Sequence, residues 1–442
     1  MPEIQQIFAI AWKWNDGGWH ELLATLIRAV IIVGPVILLM AVYTWMERRQ
    51  ASFMQDRIGP TRANIPLGGA NVTLFGLLHL MADGLKFVFK EDLVPSKVNR
   101  ILFGLAPILA LAPVVIVFVV IPVGGYFAYS HWDQVLTAQE VTKYAAAGSA
   151  FRLQATQLDI GVLIVFAFSG MGVFGATLAG YGSHNKWALL GGLRAAAQMV
   201  SYEVCLGLTV VGALLLYGTL EPMAIANWQG HNIARWGIVV QPIGAILFLA
   251  AAIAESKRIP FDIPEGESEI IGYNLEYSGM RWGIFFMGEY MELVFVGAMF
   301  TTLFLGGFHV PLLHADGFRL GSHHLAMPHI AVVLVQMLAF WGKVVLLGFL
   351  QIAIRWTLPR MRYDQLMRLG WLGMLPVSLG NVLVTAVLVL VFATYKWNLG
   401  NYWIASLLVT LAVYLLVVAP QRLNKADDDD AAQDAAHSHG SH

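Results

Sequence analysis

Cysteine and charge are what this chain has least of. Cys205 is the single cysteine among 442 residues, which excludes an internal disulfide and any cysteine-ligated iron–sulfur cluster held by this chain alone. Electrons, if involved, must come from a partner. Charged residues make up 12% of the chain, about half of the roughly 25% usual in a soluble domain. Signal-peptide features are also missing: residues 1–21 carry Glu3, Asp16 and one lysine, Lys13, with no short apolar core ending in small residues, so the first span should stay as an anchor. No internal repeat of about 20 to 50 residues is visible, which removes solenoids and lends no support to an inverted-repeat transporter. The net charge of −1 says little about partners, because the charges are sorted by loop. No nucleic-acid partner and no metal site are expected.

What the chain has in abundance is apolar length. It is 58% hydrophobic, with a mean hydropathy of +0.66. Several stretches exceed the roughly 18 apolar residues that signal a transmembrane helix, and none alternates as outer-membrane barrel strands do. The expected fold is therefore all-α: a polytopic transmembrane bundle forming one domain over 22–420, between a short N-terminal segment (1–21) and a polar tail (421–442). Nine spans are expected, near 22–46, 101–122, 158–180, 196–217, 238–254, 282–307, 329–354, 375–395 and 402–419. The tail, ADDDDAAQDAAHSHGSH, is acidic and low in complexity, and so should be disordered. Arginine and lysine concentrate in the connections at 47–100 and 355–374, while those at 123–157, 218–237 and 308–328 are cation-poor. By the positive-inside rule the N-terminus lies outside and the C-terminus in the cytoplasm, with 47–100 and 255–281 as cytoplasmic loops. The expected setting is a bacterial inner membrane.

Two local patterns need separate readings. From Leu74 to Lys90, His79, Asp83, Lys86 and Lys90 recur at three- and four-residue spacing among leucines, methionine and phenylalanine, which suits an amphipathic helix at the membrane interface, or a short soluble helix packed on the bundle. Gly170, Gly172 and Gly175 spell G-x-G-x-x-G, but within an apolar span and after no strand. Close helix packing is the better reading than dinucleotide binding.

The chemistry concentrates between Glu255 and Glu292, where eight carboxylates interrupt an apolar chain. Glu255, Asp262, Glu265, Glu267, Glu269 and Glu276 lie in a connection broken by Pro260, Pro264, Gly266 and Gly272, and Glu289 and Glu292 share a face of the next span. Glu203 is expected about two turns into the fourth span, Lys343 near the middle of the seventh, and Asp159 at the outer start of the third. Ionisable groups at bilayer depth cost about 2.5 to 3.5 kcal/mol on insertion scales, so they persist when paired, hydrated or needed. Neighbouring carboxylates in a low dielectric raise one another's pKa, so such a cluster can hold and pass protons near neutral pH. Structural ion pairs, for instance Glu203 with Lys343, are the alternative. Near the first span, Glu47, Arg48 and Arg57 stand beside Phe53 and Met54, and Arg355, Arg360, Arg362 and Asp364 follow the seventh. Aromatic and methionine walls with a few charges suit an amphipathic ligand such as a quinone; simple positive-inside anchoring explains the same charges.

The segments MERRQASFMQDRIGPTR, LMADGLKFVFKED, LRAAAQMVSYE, AESKRIPFDIPEGESEIIGYNLEYSGM with FFMGEY, and RWTLPRMRYDQLMRLGW resemble, in order, the signature segments of the H-type membrane subunit of respiratory complex I, a relative of mitochondrial NADH dehydrogenase subunit 1. The resemblance runs from about residue 40 to 395. It implies a subunit that joins a hydrophilic redox arm to the proton-pumping membrane arm of an NADH:quinone oxidoreductase and forms the membrane side of the quinone chamber. NADH, FMN and iron–sulfur clusters would sit on partner subunits, with quinone as substrate, redox-arm subunits at the cytoplasmic loops, and antiporter-like and small membrane subunits alongside. Carried over residue by residue, it implies that Glu47, Arg48, Arg57, Ala82, Asp83 and Lys86 lie near the chamber, where Phe53 joins them from the chemistry of the first loop, and that Glu203, Glu255, Glu267, Glu276 and Glu289 form an acidic path into the membrane. Asp262, Glu265, Glu269 and Lys343 join that path from the chemistry of the loop and the seventh span. The chain departs from the pattern at His79-Leu80, where Gln-Pro is common, at Ser256-Lys257, where Thr-Asn is common, in extra residues around 63–73, and at Glu292, which has no counterpart in the motif. The isolated chain should have no activity. A membrane-bound hydrogenase subunit and a stand-alone cation or proton transporter are the rival readings.

Overall fold

The computed structural model describes residues 19–67, 70–128, 131–146, 150–264, 272–320, 323–395 and 404. The tail, the N-terminal 18 residues and, apart from Ile404, the ninth expected span lie outside the described residues, as do Glu265, Glu267 and Glu269. The described chain is mostly helical. The helices are α1 (Trp19–Met54), α2 (Leu78–Phe89), α3 (Arg100–Val117), α4 (Ala138–Ala146), α5 (Gly161–Gly182), α6 (Lys186–Tyr217), α7 (Pro222–Gln229), α8 (Pro242–Glu255), α9 (Gly279–Phe304), α10 (His329–Thr357), α11 (Tyr363–Arg368) and α12 (Leu375–Thr394). A π-helical turn, Leu369–Met374, joins α11 to α12. Seven segments among the described residues are long and apolar enough to cross a membrane: Arg28–Met54, Arg100–Val117, Gly161–Gly182, Lys186–Tyr217, Gly279–Phe304, His329–Thr357 and Tyr363–Thr394. The shorter apolar α8 lies over the fifth expected span.

Helix ends follow local chemistry. The Asn99 side chain accepts from the amides of Ile101 and Leu102 at the start of α3, and Asn185 from Trp187 at the start of α6. Gly218, at φ +66°, closes α6 in the left-handed conformation that glycine adopts without penalty. Proline opens α7 and α8, where a missing amide is harmless. Two helix boundaries differ most from expectation. Helix α1 runs on to Met54, so Glu47, Arg48 and Phe53 sit on the helix rather than in a loop, because good helix formers continue it and Glu47 finds partners inside the protein. Helix α6 starts at Lys186, before the expected 196, since its alanine-rich first turns are helical even though Lys186 and Arg194 lower their hydropathy.

Small residues let the helices approach. A Cβ on Gly175 would lie 2.7 Å from the backbone of Ala110, so α5 packs directly on α3, and a Cβ on Gly192 would lie 2.8 Å from the Ala176 carbonyl, joining α6 to α5. The glycine triplet is thus a packing stripe. Buried polar side chains tie helices together because no water is at hand to satisfy them. Tyr43 donates to the Val344 carbonyl (2.8 Å), Tyr217 to Leu303 (2.6 Å), Tyr202 to Leu366 (2.9 Å), and Gln198 to Ala254 and Phe261 (2.7 and 2.6 Å).

Helix α2 forms within the expected Leu74–Lys90 stretch, with Met81, Leu85, Val88 and Phe89 exposed and none of its residues buried. The connections also hold strands that hydropathy did not reveal. Strands β1 (Ile65–Leu67) and β2 (Ala70–Val72) pair in the first loop, β3 (Tyr126–Ala128) pairs with β4 (Ala150–Arg152), and β5 (Leu313–His314), β6 (Gly317–Leu320) and β7 (His323–Ala326) form a meander; all are antiparallel.

Candidate functional site

The site is built around the last turns of α1. Glu47 meets three partners from distant parts of the chain: Arg258 Nη1 lies 3.0 Å from its Oε2, Arg355 Nη1 2.6 Å from its Oε1, and the Tyr290 hydroxyl donates to Oε2 at 2.8 Å. The Arg258 guanidinium also lies over the Tyr290 ring, 4.1 Å from its centre. Burial opposes the Arg258 charge, but the Glu47 carboxylate more than restores it and raises its pKa above the usual arginine range. Arg258 keeps Nε and Nη2 buried without a hydrogen-bond partner among the described residues. This knot joins α1, α9, α10 and the loop after α8.

Next to it the acids face one another. Lys257 Nζ lies 3.5 Å from Glu292 Oε1. Glu255, at the end of α8, is close enough to both Glu203 and Glu292 for electrostatic interaction, and Glu289 is similarly close to Arg258, Asp262 and Glu292. Glu255 and Glu292 line the same cavity of about 30 Å³, closed by Ser169, Met199 and apolar residues of α3 and α9, which is room for one or two waters. Glu203 reaches this group from about five turns into α6, deeper in its helix than the expected two turns. A Cβ on Gly170 would sit 2.5 Å from Glu203 Oε1. The glycine therefore leaves room for the carboxylate, besides its place in the packing stripe.

On the other side of the knot lies a cavity of about 500 Å³ between α2, the end of α1 and the start of α9. Arg48, Asp83, Lys86 and Lys90 give it charge, and Phe87, Trp282 and Phe286 give it an aromatic wall. Arg48 pairs with Asp83 at 2.5 Å across the cavity, and Phe87 and Trp282 lie 5.5 Å apart, centre to centre. Tyr277 lines it too, stacked on Phe103 at 3.9 Å, with its hydroxyl buried and unpartnered among the described residues. Burial pushes that hydroxyl's pKa up. Phe286 connects cavity and knot, its ring 4.8 Å from that of Tyr290.

The remaining expected site residues lie at varied distances from this centre. Asp262 pairs with Arg360 at 2.7 Å; burial pushes its carboxyl up, and the guanidinium offsets part of that. Glu276 accepts from Asn185 Nδ2 at 2.9 Å and so ties the loop to the α5–α6 turn. Phe53 is exposed beneath the Arg49 guanidinium, Arg57 bonds Gln55, and Ala82 is exposed on α2. Asp159 is exposed. Lys343 stands apart from the carboxylates: its ammonium donates to the carbonyls of Leu305, Gly307 and His309 at 2.7 to 2.9 Å and lies 4.5 Å from the Trp236 ring centre.

Sequence reasoning missed Tyr290, Tyr277, Trp282 and Arg258 as site residues and read Lys257 only as a departure from the family pattern. The usable signal was proximity: Tyr290 follows Glu289 directly, and Lys257 and Arg258 follow Glu255 within three positions.

The sequence profile of the family described as NADH dehydrogenase matches residues 27–386. The chain is 41% identical over 371 residues to an H-type subunit of NADH-quinone oxidoreductase (the copy numbered 2) from Koribacter versatilis, an alignment covering 83% of this chain and 97% of that one. It is 37% identical over 372 residues to the H-type subunit numbered 1 of the NADH-quinone oxidoreductase of Cytophaga hutchinsonii, covering 83% and 98%. It is 36% identical over 372 residues to NADH-quinone oxidoreductase subunit 8 of Rhodothermus marinus, covering 84% and 98%. With the profile spanning most of the chain and these relatives covered almost end to end, the chain belongs to the NADH dehydrogenase family and groups with the H-type subunits of NADH-quinone oxidoreductase.

Proposed function

We propose that this chain forms the membrane side of a quinone chamber in a proton-translocating NADH:quinone oxidoreductase, and that its buried carboxylates couple quinone reduction to proton movement. The observation that carries the reading is a succession of side chains, in direct contact as far as Arg258 and within electrostatic reach of one another beyond it. It runs from the cavity wall at Phe286, through Tyr290 and Glu47 to Arg258, and on through Glu289, Glu292 and Glu255 to Glu203. Electrons would arrive from redox-arm subunits that carry NADH, FMN and iron–sulfur clusters and dock on the cytoplasmic loops. This chain supplies the aromatic wall for a quinone ring, with cations beside it and the Tyr277 hydroxyl as a spare donor.

Reduction of a quinone takes up two electrons and two protons, so negative charge develops beside the knot before protons arrive. Arg258, with two unpartnered donors, would respond to that charge and loosen its hold on Glu47 and its pull on Glu289. The acids beyond would then redistribute a proton across the water-sized cavity toward Glu203, where an antiporter-like subunit takes up the signal. In this reading the N-terminus is outside and the C-terminus cytoplasmic, in a bacterial inner membrane.

Glu203→Gln and Glu289→Gln in the assembled complex test it. The expected result is normal assembly with protons moved per NADH oxidised falling severalfold, measured in sealed vesicles. Wild-type coupled turnover in both variants would reject the acidic path.

A further inference from the structure

We propose that a polar cup at the end of the bundle remote from Glu47 binds the phosphodiester headgroup of an anionic phospholipid. The proposal is independent of the quinone reading. The cup has a volume of about 540 Å³ between the start of α1, the β3–β4 hairpin and α4, and Arg28, Arg152, Tyr126, Thr142, Gln154 and Gln157 supply its polar lining. None of its described lining residues is a carboxylate. Arg152 is braced from behind by Glu221 and lies 5.2 Å from the Tyr126 ring centre, so one guanidinium is fixed in place.

Three observations point to a lipid. The first is depth: Arg28 and Arg48 stand about 30 Å apart along α1 at 1.5 Å per residue, which is the thickness of a bilayer's hydrocarbon core. With Arg48 at one interface, Arg28 reaches the headgroup level of the other. The second is shape, because the cup shares Arg28, Arg152 and Gln154 with a narrow apolar crevice between α1 and α10, lined by Ile32, Met337 and Trp341. The crevice, about 30 Å³, admits no more than the first carbons next to a headgroup, so the acyl chains would lie along the outside of the bundle. The third is Gln154, only 4% exposed, whose Nε2 donates to the Val120 carbonyl at 2.7 Å while its Oε1 has no partner among the described residues. That oxygen can accept only from a donor. Two guanidiniums that already have other partners but keep further donors, Arg152 being shared with Glu221, and one acceptor for a hydroxyl together fit a phosphatidylglycerol-type headgroup.

The test uses the whole complex, purified and delipidated in neutral detergent, then supplied with dioleoyl phosphatidylglycerol, dioleoyl phosphatidylcholine or inorganic phosphate. Bound lipid is counted by native mass spectrometry and stability by thermal melting. Phosphatidylglycerol should be retained at least fivefold better than phosphatidylcholine, and Arg28→Gln should abolish that preference. Thr142→Asp, which sets a negative charge at the exposed rim without removing an arginine, should weaken retention severalfold and serves if Arg28→Gln does not assemble. Equal retention of both lipids, unchanged preference in the assembled variants, or equal stabilisation by inorganic phosphate alone would each overturn the proposal, the last by assigning a free-anion site.

Discussion

Glu47 meets two arginines and a tyrosine, whereas Glu255 lies within electrostatic reach of two other carboxylates, with Lys257 as the cation nearby. Glu255 ends its helix and Glu47 lies within the last turns of its own, in the same bundle, and Arg258 lies three residues from Glu255. In the knot both carboxylate oxygens are engaged, so the geometry is fixed and the charge balanced. In the acidic group Glu203 and Glu255 have no ion-pair partner among the described residues, Glu292 keeps Oε2 unpartnered, and a small cavity lies between Glu255 and Glu292. A balanced cluster holds elements together; an unbalanced one beside water can exchange protons. Placing them side by side lets a charge change felt by the first alter the second.

The comparison breaks most severely at Glu47. Glu47→Ala leaves Arg258 and Arg355 buried without their counter-charge, a loss of about 3 to 5 kcal/mol when one partner of a buried pair is removed. The yield of assembled complex should collapse, and the melting midpoint of whatever assembles should fall sharply. Glu255→Gln should do the opposite, with assembly and melting close to wild type and proton movement per electron reduced severalfold in sealed vesicles. If Glu255→Gln destabilises as much as Glu47→Ala, the two regions do not differ in kind. Gly170→Ala sharpens the point without touching a charge. Its new Cβ would crowd Glu203 Oε1 at 2.5 Å, and it should lower coupling by less than Glu255→Gln does, with electron transfer retained.

Much of this contrast was legible in the sequence and some was not. The carboxylates between Glu255 and Glu292 announced themselves by their cost in an apolar chain, and the spans by apolar length. Pairing did not, because it depends on which helices meet. Lys257 and Glu292 each looked like an isolated departure from the family pattern, yet they lie 3.5 Å apart; one compensates the other, and only folding brings them together. Lys343 shows the reverse. Mid-span by hydropathy, it resembled a member of the path, but Gly306 and Gly307, at φ +74° and +55°, turn the chain after α9 so that three carbonyls reach its ammonium. A cation caps a helix end there, as helix electrostatics favours. Helix α2 was visible from its spacing, whereas the hairpins were not, since strands of two to four residues carry no usable period.

Away from the acids, the loop beyond α9 offers a smaller effect of defined sign. His309 bonds Asn227 at 3.1 Å and packs against His231, which in turn stacks on His314. Burial, with His231 and Lys343 nearby, lowers the His309 pKa from 6.5 to about 3. Between those values the unfolded chain binds a proton that the folded site excludes, so this contribution is fully present above pH 6.5 and declines as pH falls. The slope is at most about 1.4 kcal/mol per pH unit. His309→Gln should flatten the melting curve's pH dependence between neutrality and mild acid. An unchanged slope would mean that His309 is hydrated in the complex.

The smallest effect belongs to Arg281 and Asp92, 3.0 Å apart with side chains about one-third exposed. Water screens such a pair, which contributes roughly 0 to 1 kcal/mol. Asp92→Asn should therefore leave melting almost unchanged, although Arg281 belongs to the same α9 that carries Glu289 and Glu292. If instead it matched Glu47→Ala, burial of the ion pair would not be what distinguishes the knot. The distance alone, nearly identical in the Arg258–Glu47 and Arg281–Asp92 pairs, already shows that contact geometry cannot predict the difference; removal from water must.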